Sequence, residues 1–217
     1  MTVSKLYVYG DQMISSPGDN NGFLVEPGEH WWEILAKERG LETVHINTPQ
    51  DNIQISQVYW LSKLVEVIDL LGPRDKLLGV VPSAHRSLHW QGNKPKHHGT
   101  LKPGPHKWDS YVDWQHTFTY NILNKIAPKK KSCFFMQQIK GCELQSTANI
   151  KVLDVKRVGD LNWFWSWTVN QGKAKQAKTE KEFYDAYTQD RKLNALGHRE
   201  VYKAVKRYME LITADVQ

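Results

Sequence analysis

Short apolar runs alternate along the chain with longer stretches in which apolar residues recur every three or four positions. The first run, residues 6–9, reads Leu-Tyr-Val-Tyr without a polar break, as expected for a strand that is covered on both faces. Gly10 follows and permits a sharp exit from the strand. Residues 12–28 are then rich in turn-forming residues, which predicts a loop over the carboxyl end of the strand, where α/β enzymes place their reactive groups.

Two further strands and two helices follow this loop. Residues 29–39 begin with an acid and end with Lys-Glu-Arg before Gly40, which is typical of a helix and its C-terminal stop. Residues 42–47 alternate as a second strand, and residues 77–81 form a buried third strand. Between them, apolar residues at helical spacing indicate a helix with one buried stripe: Val58, Leu61, Val65 and Ile68. This repeated order predicts a parallel sheet flanked by helices.

Residues 84–108 interrupt the pattern, because Gly, Pro, His and Lys are mixed there without periodicity. A connection of this length inside a compact domain is usually functional or poorly ordered, so the sequence predicts a long basic loop. A helix is predicted over residues 109–126 with Asp109 as its N-cap, and residues 133–136 form the fourth strand candidate.

The last third of the chain predicts one more strand and two helices. Residues 150–155 are typical of a fifth strand, and residues 182–187 of a short helix. Residues 161–167 alternate aromatic side chains in a way that suits either a strand or a lid, and the sequence leaves both open. The final helix is predicted over residues 194–212, with this buried face: Val201, Ala204, Val205, Tyr208, Leu211 and Ile212.

These elements predict a single domain over residues 1–217, a three-layer α/β/α sandwich with a mainly parallel sheet of about five strands.

Hydrophobic residues make up 40% of the chain and charged residues 24%, which is typical of a soluble globular domain. No apolar run approaches the roughly 20 residues that span a bilayer, and the N-terminus has no secretory signal pattern. We therefore expect a cytoplasmic protein without a membrane partner. Cys133 and Cys142 make no disulfide framework.

The net charge of +6 and the pI of about 9.1 favour an anionic partner, although charge alone also serves solubility. One hypothesis is a nucleic-acid-binding protein in which tryptophans stack on bases and lysines contact phosphates: Lys94, Lys96, Lys102, Lys107, Lys129, Lys130 and Lys131. A metal site at His97, His98 and His106 is disfavoured, because adjacent histidines in a Gly/Pro-rich segment lack standard ligand spacing. We expect no metal and no cofactor.

Two short patterns stand at the ends of the predicted fold. Residues 10–12 read Gly-Asp-Gln directly after the first strand, and residues 194–198 read Asn-Ala-Leu-Gly-His at the start of the last helix. With the strand order, they resemble the first and last blocks of the SGNH (GDSL-type) hydrolases, a family whose first block reads Gly-Asp-Ser. The resemblance implies that family's fold, and it assigns the triad serine, aspartate and histidine to Gln12, Gln189 and Lys192.

All three triad positions lack the chemistry that a serine hydrolase needs. Gln12 has no hydroxyl to form an ester, Lys192 stays protonated near neutrality, and Gln189 cannot stabilise an imidazolium. The blocks that supply the oxyanion hole are also replaced, because residues 50–51 contain no glycine and residues 81–86 read Val-Pro-Ser-Ala-His-Arg. The resemblance therefore implies a catalytically inactive family member that acts as a binding or assembly module.

The chain also resembles small SGNH-like proteins of tailed phages, which implies a virion or accessory role, in the virion or in the host cytoplasm. A protein partner or self-assembly would then use the Trp-rich residues 163–167 and the basic residues 84–108 as contact surfaces. The binding residues are expected near the carboxyl ends of the strands: Asp11, Asn52, Ser83, His85, Arg86 and Trp90. Gln12, Gln189 and Lys192 would line the same cleft, with Lys192 in an ion pair with Asp11 or Asp190.

The alternative is an active esterase or acetylhydrolase with a shifted triad, since a triad is defined by geometry and not by sequence position. Its serine, histidine and carboxylate would come from this set, with Asp11 as a second carboxylate: Ser15, Ser16, Ser83, His85, Asp190 and His198. The nucleic-acid-binding hypothesis also stays open at this point.

Overall fold

The computed structural model of the chain describes residues 4–10, 25–46, 56–91, 94–100, 107–128, 131–159, 161, 163–171, 178–189 and 192–213. For residues 86–91, 94–100, 107–109, 192 and 208–213 the description covers the backbone alone. The elements in chain order are β1 (Lys5–Tyr9), α1 (Trp31–Glu38), β2 (Glu42–Ile46), α2 (Gln57–Asp69), β3 (Lys76–Val80), β4 (Arg86–Gln91), β5 (Lys94–Thr100), α3 (Lys107–Ile126), β6 (Ser132–Gln137), β7 (Ile150–Leu153), α4 (Trp163–Val169), α5 (Glu180–Tyr187), β8 (Thr188–Gln189), β9 (Lys192–Leu193) and α6 (Ala195–Thr213). No helix among these residues is long and apolar enough to cross a membrane.

The central sheet has the strand order β2-β1-β3-β6-β7, and every neighbouring pair is parallel. The chain first adds β2 on one side of β1 and then returns to add β3 on the other side. This reversal places a topological switch point between the carboxyl ends of β1 and β3, the usual position of a ligand crevice in such sheets. The order is that of flavodoxin-like folds, and the predicted α/β/α sandwich with a mainly parallel five-stranded sheet is confirmed.

Alternate side chains of each strand enter two separate cores, one on each face of the sheet. Leu6 and Val8 of β1 pack in a core with α1, α4, α5 and α6. Tyr7 and Tyr9, on the opposite face of the same strand, pack with α2 and α3. Strand β6 is divided in the same way, with Cys133 and Phe135 in the first core and Phe134 and Met136 in the second. The strands have no polar break because both of their faces are buried.

Most of the described residues between 84 and 108 form two strands and not the long loop that the sequence predicts. Strands β4 and β5 pair as an antiparallel hairpin apart from the main sheet, with Leu88 opposite His97. A separate two-stranded ribbon satisfies its backbone by pairing and needs no continuous apolar face, so its strands show little hydrophobic alternation. The sequence signal for the hairpin is the Gly-Asn pair at positions 92–93, a combination that favours tight turns.

Residues 163–169 form the helix α4, so the aromatic run is neither a strand nor a lid. Every residue of α4 is buried, in the core that α1 and α6 share. A helix that is apolar on all sides shows no one-sided periodicity, which is why the alternation of its aromatic residues is misleading. The Trp-rich segment is therefore part of the core and is not the contact surface that the sequence predicts.

The remaining predicted helices are confirmed with small shifts of their ends. Helix α3 begins at Lys107, before the predicted cap Asp109. Helix α5 begins after Thr179, whose hydroxyl accepts from the Glu182 N–H while the Glu182 carboxylate accepts from the Thr179 N–H. This capping box explains where α5 starts. On α6 the predicted buried face is confirmed for Val201, Ala204 and Val205, whereas only the backbone is described for Tyr208, Leu211 and Ile212.

Candidate functional site

Two residues of the predicted cleft lie beside the topological switch point. Ser83 and His85 follow β3 directly, at the carboxyl edge of the sheet. Other residues of the cleft and of the shifted triad lie outside the described residues: Asp11, Gln12, Ser15, Ser16, Asn52 and Asp190. The full lining of the cleft and the ion pair of Lys192 therefore stay predictions.

The hydroxyl of Ser83 takes part in the local turn. Its Oγ accepts a hydrogen bond from the backbone N–H of His85 at 3.4 Å. Among the described residues, no hydrogen bond joins Ser83 to a histidine ring. An activated serine needs an imidazole nitrogen within about 2.6–3.2 Å of its hydroxyl. The described part of the chain thus does not pair Ser83 with a base.

A buried hydrogen-bond network lies between the ends of β3 and β6 and the helices α2 and α3. The side-chain amide of Gln57 donates to the Pro82 carbonyl at 2.7 Å and lies 3.0 Å from Nδ1 of His116. Nε2 of His116 lies 2.7 Å from the Gln137 carbonyl oxygen. Because a carbonyl only accepts, Nε2 must hold the proton, and Nδ1 must accept from Gln57.

Burial keeps the His116 ring neutral, although its hydrogen bond to the Gln137 carbonyl acts in the opposite direction. The residue is 1% exposed, and burial lowers the pKa of His116 to about 4, with the nearby His85 acting in the same direction. Both ring nitrogens are committed to hydrogen bonds, so the ring is not available as a general base. Gln115 of α3 also binds the segment that follows β3, because its side-chain amide donates to the Ala84 carbonyl at 2.9 Å. The segment after β3 is therefore held by both helices.

Sequence reasoning missed the network around His116. Gln57 and His116 are 59 residues apart, and no local pattern links them. The available signal is that His116 shares a buried stripe of α3 with Val112 and Leu123. A polar residue on an apolar helical stripe indicates a buried polar group that requires a hydrogen-bond partner.

The Asn-Ala-Leu-Gly-His pattern at the start of α6 has a structural use. The side-chain oxygen of Asn194 accepts from the Gly197 N–H at 2.9 Å, as an N-cap residue does. The side-chain amide of Asn194 donates to the Ala186 carbonyl at 3.1 Å and so connects α6 to α5. At Gly197 an added Cβ atom would lie 2.4 Å from the Tyr187 carbonyl oxygen, so the close approach of the two segments requires glycine.

His198 completes this pattern as a buried connection between α6 and α1. Its Nδ1 accepts from the backbone N–H of Trp31 at 3.3 Å, and its ring centroid lies 5.1 Å from that of His30. The residue is 1% exposed, and burial lowers the pKa of His198 to about 3, with His30 acting in the same direction. In a serine hydrolase triad, Nδ1 of the histidine donates to a carboxylate. In His198 it accepts from the backbone instead, so the tautomer is the opposite one.

Two of the three positions that the resemblance assigns to a triad lie next to each other. Gln189 and Lys192 are cross-strand partners in the short antiparallel pair of β8 and β9, which leads directly into α6. The side chain of Gln189 is exposed to solvent. The third position, Gln12, lies outside the described residues.

Five of the predicted basic and histidine contacts lie in the hairpin: Arg86, Lys94, Lys96, His97 and His98. Only the backbone is described for the following residues of β4, β5 and α3: Arg86, Trp90, Lys94, Lys96, His97, His98 and Lys107. Lys131 is fully described, and its Nζ donates to the Gly72 carbonyl at 3.2 Å. The others lie outside the described residues: Lys102, His106, Lys129 and Lys130. Within the described ranges, no group of three or more His, Cys, Asp or Glu side chains could hold a metal ion.

Replacing the N-cap of α6 is expected to destabilise the fold. Asn194→Ala should lower the free energy of unfolding by about 1 kcal/mol, because the Gly197 N–H loses its acceptor. Urea denaturation followed by circular dichroism measures the change. Asn194→Ser is the matched control, since serine keeps a capping oxygen and should lose less. Equal stability of the natural protein and the alanine variant would contradict the capping role.

The strand order and the two covered faces define the class of protein, a doubly wound α/β/α domain with flavodoxin-like strand order. Folds of this class support many unrelated activities, so the class by itself assigns no function. Comparisons of the chain with models of protein families, with curated proteins and with solved structures gave no match. What the protein does must follow from its own side chains.

Proposed function

We propose that the protein is a catalytically inactive relative of the SGNH hydrolases that acts as a binding or assembly module. The observation that supports this most directly is the structural use of residues 194–198. Asn194 caps α6, Gly197 permits a close approach, and His198 binds the backbone of α1. These contacts stabilise the fold and require no catalytic triad. On the resemblance to small tailed-phage proteins, we assign the module a virion or accessory role.

Two of the buried histidines, His116 and His198, also support an inactive protein. A general base must reach the proton that it removes, and its pKa must lie near the working pH. The pKa values of His116 and His198 are about 4 and about 3, far below neutrality. Their Nδ1 atoms already accept hydrogen bonds from Gln57 and from the Trp31 backbone. Neither ring supports ester hydrolysis at neutral pH.

Labelling with a fluorophosphonate probe tests the absence of a serine nucleophile. We expect the intact mass of the natural protein to stay unchanged and a short-chain aryl ester to be hydrolysed no faster than in buffer, because Gln12 offers no hydroxyl. A labelled serine would contradict the proposal and would favour an active hydrolase. Peptide mapping would then identify the nucleophile among its candidates: Ser15, Ser16 and Ser83.

A variant with all three triad residues restored tests the family alignment separately. Gln12→Ser, Gln189→Asp and Lys192→His together should gain labelling at position 12 if these positions correspond to the triad. Gln12→Ser alone is the matched control, because its hydroxyl has no imidazole base and should stay unlabelled. Labelling of the triple variant but not of Gln12→Ser would support the SGNH alignment, whereas equal labelling of both variants would contradict it, and in either case the inactivity of the natural protein would stand.

A further inference from the structure

Three buried polar atoms on α2 and α3 have no hydrogen-bond partner among the described residues. They are Oε1 of Gln57, Nε1 of Trp60 and Oγ1 of Thr119. All three residues are 0% exposed, so bulk solvent does not reach these atoms. Folded proteins pair the great majority of such atoms, and an ordered water molecule does so where no protein group is within reach.

The three atoms lie close to the hydrogen bond that joins the two helices. The side-chain amide of Gln57 lies 3.0 Å from Nδ1 of His116, which fixes the first turn of α2 beside α3. Trp60 follows Gln57 by three residues on α2, and Thr119 follows His116 by three residues on α3. Residues with this spacing lie on the same side of a helix, with Cβ atoms about 5–6 Å apart. The indole N–H and the threonine hydroxyl therefore lie one turn further along the two helices than the Gln57–His116 contact.

Packing prevents the Trp60 ring from turning towards another acceptor. The ring stacks on Tyr9 with centroids 5.2 Å apart and meets the ring of Phe134 edge-on at 5.9 Å. Its Cζ2 atom would lie 3.3 Å from a Cβ atom added at Gly79, so the ring also packs closely against β3. Because the indole N–H is held in one direction, its acceptor must be a molecule that comes to it.

The hydrogen-bonding capacities of the three atoms select a small neutral molecule. The oxygen of Gln57 only accepts, the indole N–H of Trp60 only donates, and the hydroxyl of Thr119 does both. An anion would be repelled by the amide oxygen, and a cation would be repelled by the indole N–H. A water molecule donates and accepts, and a buried one typically makes about three hydrogen bonds. We infer that a buried water molecule binds here, donating to Gln57 and accepting from Trp60, with the Thr119 hydroxyl as its third partner.

This hydration site positions the segment that follows β3. The nitrogen of the Gln57 amide donates to the Pro82 carbonyl at 2.7 Å, and the oxygen of the same amide binds the water. When both ends of the amide are engaged, the group cannot rotate away from Pro82 and His116 without losing hydrogen bonds on both sides. The water is therefore part of the support beneath the carboxyl edge of the sheet, where Ser83 and His85 lie.

A crystal structure at a resolution that shows ordered water tests the site directly. We expect an electron-density peak within about 2.7–3.2 Å of both Gln57 Oε1 and Trp60 Nε1. Crystals of the Thr119→Val variant provide a second view of the same position, because valine keeps the shape of threonine and removes only its hydroxyl. Absence of the peak from the natural protein would overturn the inference.

The melting temperature of Thr119→Val tests the site in solution, because the sign of the change depends on whether the hydroxyl is bonded. With the water bound, the variant loses a hydrogen bond and its Tm should fall by about 3 °C. Removal of a hydroxyl that binds nothing would instead raise the Tm, since a buried unpaired polar group is destabilising.

Thr168→Val is the matched control for this measurement. Thr168 is also a buried helical threonine, and its hydroxyl donates to the Phe164 carbonyl at 3.0 Å, so its replacement shows the loss expected for a bonded hydroxyl. A fall in Tm for Thr119→Val comparable to that of the control would support the water site. A Tm above that of the natural protein would overturn it.

Discussion

Acidification from about pH 7.5 to about pH 5 is expected to lower the free energy of unfolding by about 4 kcal/mol. His116 and His198 are neutral in the folded protein, with pKa values of about 4 and about 3, whereas the ordinary pKa of histidine is 6.5. Between these values the unfolded chain binds protons that the folded protein excludes, so stability decreases as the pH falls. Each histidine contributes a slope of about 1.4 kcal/mol per pH unit, which amounts to about 2 kcal/mol at pH 5.

The pH range over which the free energy of unfolding decreases follows from the two pKa values. Above about pH 7.5 the imidazoles are neutral in both states, so the stabilisation is complete there and does not change with pH. The loss begins below that pH and ends near pH 4 for His116 and near pH 3 for His198, where the folded protein also takes up the proton. His85 and His30 face these two rings, and positive charge on them opposes that uptake.

Urea denaturation at a series of pH values measures the loss. His116→Gln and His198→Asn should each remove about half of the slope between pH 6.5 and pH 5, because each removes one buried titrating group. Both variants should also be less stable at neutral pH, since each disturbs a buried hydrogen bond. Stability that stays constant on acidification, or a slope that neither substitution changes, would show that the two rings are not buried neutral groups.

Gly197→Ala is expected to lower the free energy of unfolding by about 3 kcal/mol. The new Cβ would lie 2.4 Å from the Tyr187 carbonyl oxygen and 2.9 Å from Cδ2 of Leu193. The Leu193 side chain can rotate, but the Tyr187 carbonyl cannot move without loss of its hydrogen bond from the Asn194 N–H. Alanine favours a helix over glycine by about 1 kcal/mol, and this gain is smaller than the cost of separating α6 from the end of α5.

Thermal and urea denaturation of the Gly197→Ala variant measure this effect. Leu196→Ala is the matched control in the same turn of α6, because Leu196 is exposed and its truncation should change stability by only about 0.5 kcal/mol or less. If Gly197→Ala were as stable as the natural protein, the close approach of α6 to the Tyr187 carbonyl would be wrong. A loss at position 197 without one at position 196 would confirm that space, and not helix propensity, requires the glycine.

The main sheet could be predicted from the sequence because its strands are buried on both faces. Residues 6–9, 77–81 and 133–136 are continuous apolar runs, and they coincide with β1, β3 and β6. Helices α2 and α6 could be predicted for a related reason, since each buries one stripe and exposes the rest. A local sequence pattern is sufficient to predict a strand or helix when the same faces of that element are buried along its whole length.

Hydrophobic periodicity could not predict the hairpin or helix α4, because the surroundings of both elements remove that pattern. Strands β4 and β5 form a separate ribbon, so pairing of the backbone defines them and hydrophobic alternation does not. Helix α4 is buried on all sides, so no polar face marks its turns. In both cases the element depends on neighbours that are distant in the sequence.

For the candidate site, the sequence by itself determined which chemical groups are present. It shows that no hydroxyl, carboxylate or imidazole stands at the three positions that the resemblance assigns to a triad: Gln12, Gln189 and Lys192. Only the tertiary structure decided the roles of His116 and His198, because it brings His116 to Gln57 across 59 residues and His198 to Trp31 across 167. The pKa of a histidine depends on the water, charges and hydrogen bonds around it, and folding assembles those surroundings from distant segments of the chain.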